Sequence, residues 1–246
     1  MLQSSIIQLP ETGSTNNYAI ELIAQQRPAE GCVIRADYQT SGRGTDTNSW
    51  ESERGKNLTF SLILYPEFAA DKQFILNKAI SLGIHDFLSC ELPGETISIK
   101  WPNDIYVGDK KACGILIQNS VIGNTLDYVV VGIGLNVNQT LFTGNVPNPV
   151  SMKMATGINY NLDVVLSKLL ISIFRRYRQV MPGTFSEIET AYQAALYRRL
   201  EWQKYEVRGS ELIAMITGTN PYGQLLLETR EGEQLTCDLK EVKLII

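Results

Sequence analysis

The feature that most limits the fold is an apolar run that contains two alternating glycines, Y-V-V-V-G-I-G-L-N-V-N over residues 128–138. Its β-branched residues predict a buried strand over Tyr128–Val137. Two glycines match the dinucleotide-binding fingerprint, but the third is missing and the pattern continues as a strand through Asn136 instead of opening a helix. We therefore exclude a Rossmann fold. The glycines predict either a groove where a flat ligand lies against the backbone or a bulged sheet.

The rest of the first 200 residues predicts an α+β fold. Segments rich in β-branched or aromatic residues predict further strands at 5–9, 32–38, 58–65, 96–100, 105–107 and 112–118. Helices are predicted to begin near residue 14 and to span 72–88, 162–180 and 185–200. Because most strands follow one another through short links, we expect a mixed sheet with flanking helices.

After about residue 200 the pattern changes to short strands separated by tight turns. Strands are predicted at 203–207, 211–217, 224–229 and 234–239, and the spacing indicates a small barrel. We therefore expect two domains, residues 1–200 and 201–246. Too few residues precede Gly13 for a helix-turn-helix, so we expect no DNA-binding module.

Composition excludes several classes of function. The net charge of −4 and the pI near 5.2 argue against a general nucleic-acid binder. With His85 as the one histidine, a multi-histidine metal site is excluded. The start of the chain lacks a signal-peptide pattern, and no stretch reaches the roughly 18 to 20 apolar residues of a membrane span. The four cysteines form no C-x-x-C pair, so we expect reduced thiols and a cytoplasmic location.

A long polar loop over residues 40–56 is the first candidate for a functional segment. Loops of this length in compact domains are usually functional or disordered. Arg43 stands between two glycines, where its guanidinium and nearby backbone N–H groups can bind an anion. A solvated linker has little use for Trp50. We favour a functional loop, and the alternative is a surface loop whose tryptophan packs on the core.

Two shorter segments carry polar residues whose role is open from the residues alone. Lys111 precedes Gly114 by three residues, so the lysine can bind an anion where the glycine lets a ligand approach. Taken alone, this segment and K-W-P-N-D at 100–104 fit an edge hairpin with solvated lysines better. Ser14 and its neighbours either cap the first helix or hold a polar head group.

Together and in this order, the motifs resemble the catalytic core of biotin protein ligases. The matching segments are G-S-T-N at 13–16, Q-x-x-G-R-G-x(5)-W at 39–50, G-x-N-L-x-x-S at 55–61, K-W-P-N-D at 100–104, K-x-x-G-I-L at 111–116 and G-I-G-x-N-V-N at 132–138. The segment after residue 200 fits the family's SH3-like domain by position and pattern only.

The resemblance implies a ligase with two half-reactions. Biotin and MgATP give biotinyl-5′-adenylate and pyrophosphate, and a lysine of a biotin carboxyl carrier domain of a carboxylase then takes the biotinyl group as an amide. The implied cofactors are therefore ATP and Mg²⁺, with biotin as substrate. The resemblance leaves the metal ligands unassigned and allows a monomer or a homodimer, with no DNA or membrane partner.

The resemblance also assigns residues. Those implied to bind biotin are Ser14, Thr15, Asn16, Gln39, Arg43, Gly44, Thr45, Lys111, Gly114 and Gly132. Those implied to bind ATP are Arg43, Trp50, Asn103, Lys111 and Asn136. In this scheme Lys111 contacts the biotin carboxylate and the phosphate, Arg43 clamps the phosphate, and Trp50 stacks on the adenine. Asp104 is expected to orient the incoming amine or to assist its deprotonation.

One departure from the family pattern follows Gly44. Many relatives carry a second arginine and a basic run there, whereas residues 45–48 read T-D-T-N. We expect either compensation by Lys56 or Lys240, or a leakier adenylate. Many relatives also carry an N-terminal winged helix and act as repressors, and we expect no operator binding here. The alternatives are a lipoate or octanoate ligase on the same fold and a non-catalytic biotin-binding protein.

Overall fold

A seven-stranded sheet forms the centre of the first 200 residues. The computed structural model describes residues 5–44, 49–144, 148–181 and 185–245. The strands are β1 (Ile6–Leu9), β2 (Val33–Ala36), β3 (Leu58–Leu64), β4 (Ile97–Lys100), β5 (Asp104–Val107), β6 (Lys110–Ile122) and β7 (Thr125–Leu135). Their order is β1-β2-β3-β7-β6-β5-β4, with β1 and β2 parallel and the other pairs antiparallel. The predicted mixed sheet is confirmed.

Helices cover both faces of this sheet. They are α1 (Thr15–Gln26), α2 (Gln73–Glu91), α3 (Met152–Thr156), α4 (Leu162–Val180) and α5 (Ser186–Ala195), with a 3₁₀ turn at Ala70–Lys72. Apolar residues of α1 pack on one face of the sheet, and α2 and α4 pack on the other. Among the described residues no helix is long and apolar enough to cross a membrane.

Two predicted boundaries are wrong, and one helix was missed. The last helix ends at Ala195 rather than at residue 200, because the backbone turns extended at Leu196 and Tyr197 N–H donates to the Ile99 carbonyl of β4 at 2.9 Å. The last strand of the sheet ends at Leu135, so Asn136 follows the strand instead of continuing it. The short helix α3 was not predicted, and its start is capped by the Ser151 side chain.

The last 45 residues form a second, antiparallel sheet. Its strands are β8 (Trp202–Val207), β9 (Ser210–Thr219), β10 (Leu225–Thr229), β11 (Gln234–Cys237) and β12 (Val242–Leu244), in the order β11-β10-β9-β8-β12. Buried residues such as Tyr205, Ile216 and Leu227 belong to the same apolar cluster as the sheet and helices before them. The small β-structure predicted from the turn spacing is therefore present, and it shares a core with the larger sheet.

The strand register places three glycines, Gly114, Gly132 and Gly134, together on the sheet face that packs against α1, and we call them the glycine strip. Gly114 pairs with Gly134 across β6 and β7, and Gly132 pairs with Ser61 of β3. Side chains alternate along a strand, so these positions share one face. A bulge at Ala112 separates Lys111 from Cys113 in the pairing with β5. Because a bulge adds one residue, Lys111 and Gly114 face the same side although they are three residues apart.

Candidate functional site

A cleft lies over this glycine strip, beside the start of α1. Its described lining residues are Ser14, Thr15, Asn16, Gln39, Arg43, Gly44, Trp50, Phe60, Asn103, Asp104, Lys111, Gly114, Ile115, Leu116, Gly132, Ile133 and Gly134. Segments far apart in the chain therefore meet in one cavity. Of the predicted site residues, Asn136 is not among the described lining residues, and Thr45 lies outside the described part of the chain.

One end of the cleft is built from uncharged polar groups. Thr15 N–H donates to Gln39 Oε1 at 2.8 Å, and the Thr15 hydroxyl lies 3.1 Å from the same oxygen. Ser61 Oγ lies 2.7 Å from Thr15 Oγ1 and 2.6 Å from Asn16 Oδ1. Since an amide oxygen can only accept, the buried Ser61 hydroxyl donates to Asn16. The directions of these groups are therefore fixed before any ligand binds.

Ser61 was not predicted as a site residue. The last position of G-x-N-L-x-x-S was the available signal, because a serine in an otherwise apolar strand has to find a hydrogen-bond partner. Ser14 is the N-cap residue of α1, yet its side chain makes no capping hydrogen bond in the described structure. Ser14 therefore lines the cleft without capping the helix through its side chain, unlike an ordinary N-cap residue.

Asn16 is held by the protein on every side. Its Nδ2 donates to Gln118 Oε1 at 2.8 Å and to the Leu116 carbonyl at 3.3 Å. A Cβ atom at Gly132 would lie 2.4 Å from Asn16 Oδ1. Gly132 thus makes room for the Asn16 side chain. Both amide hydrogens of Asn16 are engaged within the protein, so its part at this end of the cleft is to shape the wall.

The other end of the cleft is charged. Lys111 Nζ lies 2.7 Å from Asp104 Oδ1, and about a quarter of each side chain is exposed (23% and 25%). The bulge at Ala112 aims Lys111 into the cleft, and Asp104 pairs with Gly114 across the strands. Arg43 is exposed at the rim, where its backbone bridges to Ser49. One partly exposed cation therefore lies in the wall of the cleft and one exposed cation lies at its rim.

Trp50 lies inside the cleft against the glycine strip. A Cβ atom at Gly134 would lie 2.2 Å from the indole ring, and one at Gly114 would lie 3.0 Å from it. Lys111 Nζ is 5.9 Å from the centre of the same ring. Trp50 Nε1 is buried and has no hydrogen-bond partner among the described residues. Of the two interpretations of this tryptophan, the structure therefore favours the one in which it belongs to the site.

The two asparagines assigned to the nucleotide side occupy different positions. Asn103 lines the cleft, and it exchanges hydrogen bonds with the backbone of Ile115. Asn136 is 2% exposed and lies behind Lys111, where its Nδ2 donates to the Val150 carbonyl at 3.1 Å. Its backbone N–H donates to the Ala112 carbonyl at 2.9 Å. Asn136 is thus placed to support the bulge that directs Lys111.

The acidic residues of the cleft do not form a metal cage. Asp104 is the one carboxylate among the described lining residues, and it is paired with Lys111. Elsewhere in the described ranges no three His, Cys, Asp or Glu side chains come together. A site for Mg²⁺ made by the protein alone therefore does not fit these residues. Lys56 and Lys240, the suggested substitutes for the missing arginine, are not among the described lining residues.

Comparisons with known proteins identify the family. Residues 9–136 match the Biotin/lipoate A/B protein ligase family. The bifunctional ligase/repressor BirA of Bacillus subtilis is 32% identical over 225 residues, which cover 89% of this chain and 68% of that protein. The biotin--[acetyl-CoA-carboxylase] ligase of Paracoccus denitrificans is 28% identical over 92% of this chain and 95% of its own length. The structure of biotin protein ligase from Aquifex aeolicus in complex with biotin and ATP aligns with a TM-score of 0.80 and 26% identity, covering 98% of both chains. The chain belongs to the biotin/lipoate A/B protein ligase family.

Proposed function

We propose that this chain is a biotin protein ligase that activates biotin with ATP and transfers it to a lysine of a biotin carboxyl carrier domain. The observation that carries the proposal is that one cleft joins two unlike ends. The neutral end around Thr15 and Gln39 suits an uncharged, hydrogen-bonding ring, and the charged end around Lys111 suits a carboxylate and a phosphate. Family membership supports the same reaction.

In the activation step, the biotin carboxylate attacks the α-phosphate of ATP, and pyrophosphate leaves. Two anions must approach one another, so fixed cations at the point of attack lower the barrier. Lys111 faces that point from the wall of the cleft, and Arg43 faces it from the rim. When substrates bind, Lys111 exchanges its bond with Asp104 for bonds to the carboxylate and the phosphate. The ion pair with Asp104 therefore holds the Lys111 ammonium group in the cleft between turnovers.

Mg²⁺ enters this scheme with the nucleotide. The ion commonly binds through substrate phosphates and water with one or two carboxylates, so a full protein cage is not required. When bound, it draws charge from the departing pyrophosphate. Asp104 is the one carboxylate among the described lining residues, and it is paired with Lys111, so we assign no protein ligand to the ion.

Trp50 accounts for retention of the intermediate. A mixed anhydride hydrolyses in water, so the cleft has to exclude solvent between the two steps. The indole ring already lies on the glycine strip, and its buried N–H has no partner within the described ranges of the chain. A buried donor without a partner costs about 1–3 kcal/mol. Moving the indole ring out of this position to stack on an adenine removes that cost. The T-D-T-N sequence at 45–48 leads us to expect a leakier adenylate than in relatives with a second arginine.

In the transfer step, the amine of the acceptor lysine attacks the acyl carbon of the adenylate. The amide C–N bond forms as the acyl C–O bond breaks, and AMP leaves with the electron pair. The amine must lose a proton, and Asp104, as the one carboxylate among the described lining residues, is our candidate to orient the amine and accept that proton. We place the division between the catalytic domain and the C-terminal domain near residue 200, where the second sheet begins.

The test is transfer of labelled biotin to a purified biotin carboxyl carrier domain, with and without MgATP. Lipoate and octanoate are supplied in parallel at the same concentration. Labelling with biotin that requires ATP supports the proposal. Labelling with lipoate or octanoate alone would keep the family and change the substrate. Biotin binding without labelling under any condition would replace the ligase with a binding protein.

A further inference from the structure

The turn that carries Asn103 and Asp104 into the cleft is held from two sides by residues outside the cleft. Tyr192 of α5 is completely buried, and its hydroxyl donates to the Pro102 carbonyl at 3.1 Å. On the other side, Trp101 Nε1 donates to the Gly223 carbonyl in the C-terminal sheet at 2.8 Å. Neither Tyr192 nor Trp101 is among the described lining residues of the cleft.

On the α5 side, Tyr192 belongs to a buried cluster that includes a lysine. Lys78 of α2 is 0% exposed and forms an ion pair with Glu189 of α5. Its Nζ lies 5.3 Å from the centre of the Phe74 ring and 5.5 Å from that of Tyr192. Because a buried charge that loses its partner is strongly destabilising, this ion pair keeps α5 fixed against α2. The Tyr192 hydroxyl therefore has a rigid support.

On the other side, the turn at 220–223 of the C-terminal sheet is seated on Phe74. Gly223 has a φ of +89°, and a Cβ atom there would lie 2.4 Å from the Phe74 ring. A side chain at this position would strain the backbone and overlap the ring. Gln193 of α5 adds a second contact with the C-terminal sheet, because its Nε2 donates to the Thr219 carbonyl at 3.2 Å. Glycine at position 223 thus allows the close approach that brings its carbonyl to Trp101.

The held turn leads directly to the charged end of the cleft. Asn103 exchanges hydrogen bonds with Ile115, and the next residue, Asp104, lies 2.7 Å from Lys111 Nζ. A shift of the turn therefore changes where the Asp104 carboxylate sits relative to Lys111. The neutral end depends instead on α1, Gln39 and Ser61, none of which contacts Tyr192 or Trp101 in the described hydrogen bonds.

We propose that Tyr192 and Trp101 are positioning residues for the transfer step, and that the C-terminal sheet acts on the reaction through the Trp101–Gly223 hydrogen bond. This inference rests on the proposed function. Loss of either bond lets Asp104 drift from the place where it meets the acceptor amine. It leaves the neutral end unchanged, so transfer slows while the KM for biotin does not change.

The first test compares two buried tyrosines. Tyr192→Phe removes the hydroxyl that holds Pro102, whereas Tyr205→Phe removes a buried hydroxyl with no partner in the described structure. Transfer from preformed adenylate to the carrier domain is measured per active site, counted by the adenylate burst. We expect Tyr192→Phe to slow transfer about tenfold, because small misplacement of a reacting group has a large effect on rate. Tyr205→Phe should match the wild type.

The second test reaches the turn from the C-terminal sheet and does not depend on Tyr192. Gly223→Ala is compared with Gly232→Ala, whose φ of +86° is similar but whose surroundings within 4 Å are open. Both substitutions strain the backbone, and only the first displaces the carbonyl that binds Trp101. We expect slower transfer and an unchanged KM for biotin in Gly223→Ala alone.

The outcomes separate this inference from the proposed function. If the wild type labels the carrier domain, and both Tyr192→Phe and Gly223→Ala transfer as fast as their controls, the positioning role is wrong and the ligase stands. Equal slowing of adenylate formation and transfer, or a raised KM for biotin, also overturns it, because a general structural defect would explain both. A wild type that forms no adenylate overturns the proposed function and this inference with it.

Discussion

The two ends of the cleft are built in opposite ways. At the neutral end, Thr15, Asn16 and Ser61 are at least nine-tenths buried and bind one another, Gln39 and Gln118. At the charged end, Lys111 and Asp104 form one ion pair, and each side chain keeps about a quarter of its surface exposed. The neutral groups have fixed directions, whereas the charged groups have room to change partners.

This difference matches the work each end has to do. A ring that is bound through hydrogen bonds is recognised best by donors and acceptors that are already oriented, because no ordering is left to be done on binding. A cation that serves a carboxylate and then a phosphate has to exchange partners within one turnover. An ion pair that is partly open to water is weak enough for that exchange, since screening by water limits what it contributes.

The largest expected effect is at the charged end. Lys111→Met keeps most of the length of the side chain and removes its charge, so we expect a loss of about 100- to 1,000-fold in labelling of the carrier domain. The matched control is Lys110→Met, the exposed neighbour on the same strand. Equal activity of the two variants would show that the cation in the cleft has no role in activation.

A smaller effect is expected at the neutral end. Ser61→Ala leaves Asn16 Oδ1 without its hydrogen-bond donor, and an unsatisfied buried group costs about 1–3 kcal/mol. We therefore expect the KM for biotin to rise about tenfold while kcat is retained. Ser98→Ala is the control, because the buried Ser98 hydroxyl has no partner in the described part of the chain. A fall in kcat at constant KM would contradict a binding role for this end.

The position of the Trp50 ring between the two ends of the cleft is tested by a substitution at Gly134. Alanine there would overlap the Trp50 ring, and overpacking of this kind typically costs about 1–3 kcal/mol. We expect Gly134→Ala to expel the ring, with a red-shifted tryptophan emission and faster release of the adenylate. Gly13→Ala, where a Cβ atom meets open space, should leave the emission unchanged. Retention of the wild-type emission in Gly134→Ala would place the ring elsewhere in solution.

The smallest effect on activity is expected at an ion cluster outside the cleft. Burial raises the pKa of Asp86, but His85, Arg176 and Arg175 lower it further than burial raises it. A lowered pKa in the folded state contributes stability that is present above the unfolded value near 3.9 and is lost as the pH falls. We expect Asp86→Asn to reduce the free energy of unfolding at pH 7 and to flatten its decline on acidification.

Unfolding by urea at pH 7 and at pH 3 measures this effect. The control is Glu211→Gln, which removes an ion pair with Lys204 in which both side chains are more than half exposed, so the pair should contribute little. Biotin transfer at pH 7 and at a temperature well below unfolding should be unaffected in both variants. A loss of activity in Asp86→Asn under those conditions would show that the cluster acts on the site.

Sequence patterns were sufficient to predict elements with a regular hydrophobic period. They were not sufficient to predict contacts that depend on strand register. The helix at Leu162–Val180 was predicted to the residue, because its period, its acidic first turn and its basic last turn agree. The spacing of Lys111 and Gly114 was visible, but its cause, the bulge at Ala112, depends on pairing with β5.

The site shows the same limit. Ordered motifs indicated which residues meet, whereas the fully engaged amide of Asn16 and the position of Asn136 behind Lys111 depend on three-dimensional neighbours. Ser61 was missed for this reason, since its role comes from the start of α1 packing across β3. Local periodicity carries no information about such contacts.

The separate roles of the two ends are best tested by biotin-dependent exchange of pyrophosphate into ATP, with biotin varied, in Lys111→Met and Ser61→Ala. This exchange reports activation without the acceptor. We expect Lys111→Met to lose mainly kcat and Ser61→Ala to lose mainly affinity for biotin. If both variants changed kcat and KM in the same proportion, the two ends would not act separately, and the division of labour proposed for the cleft would be wrong.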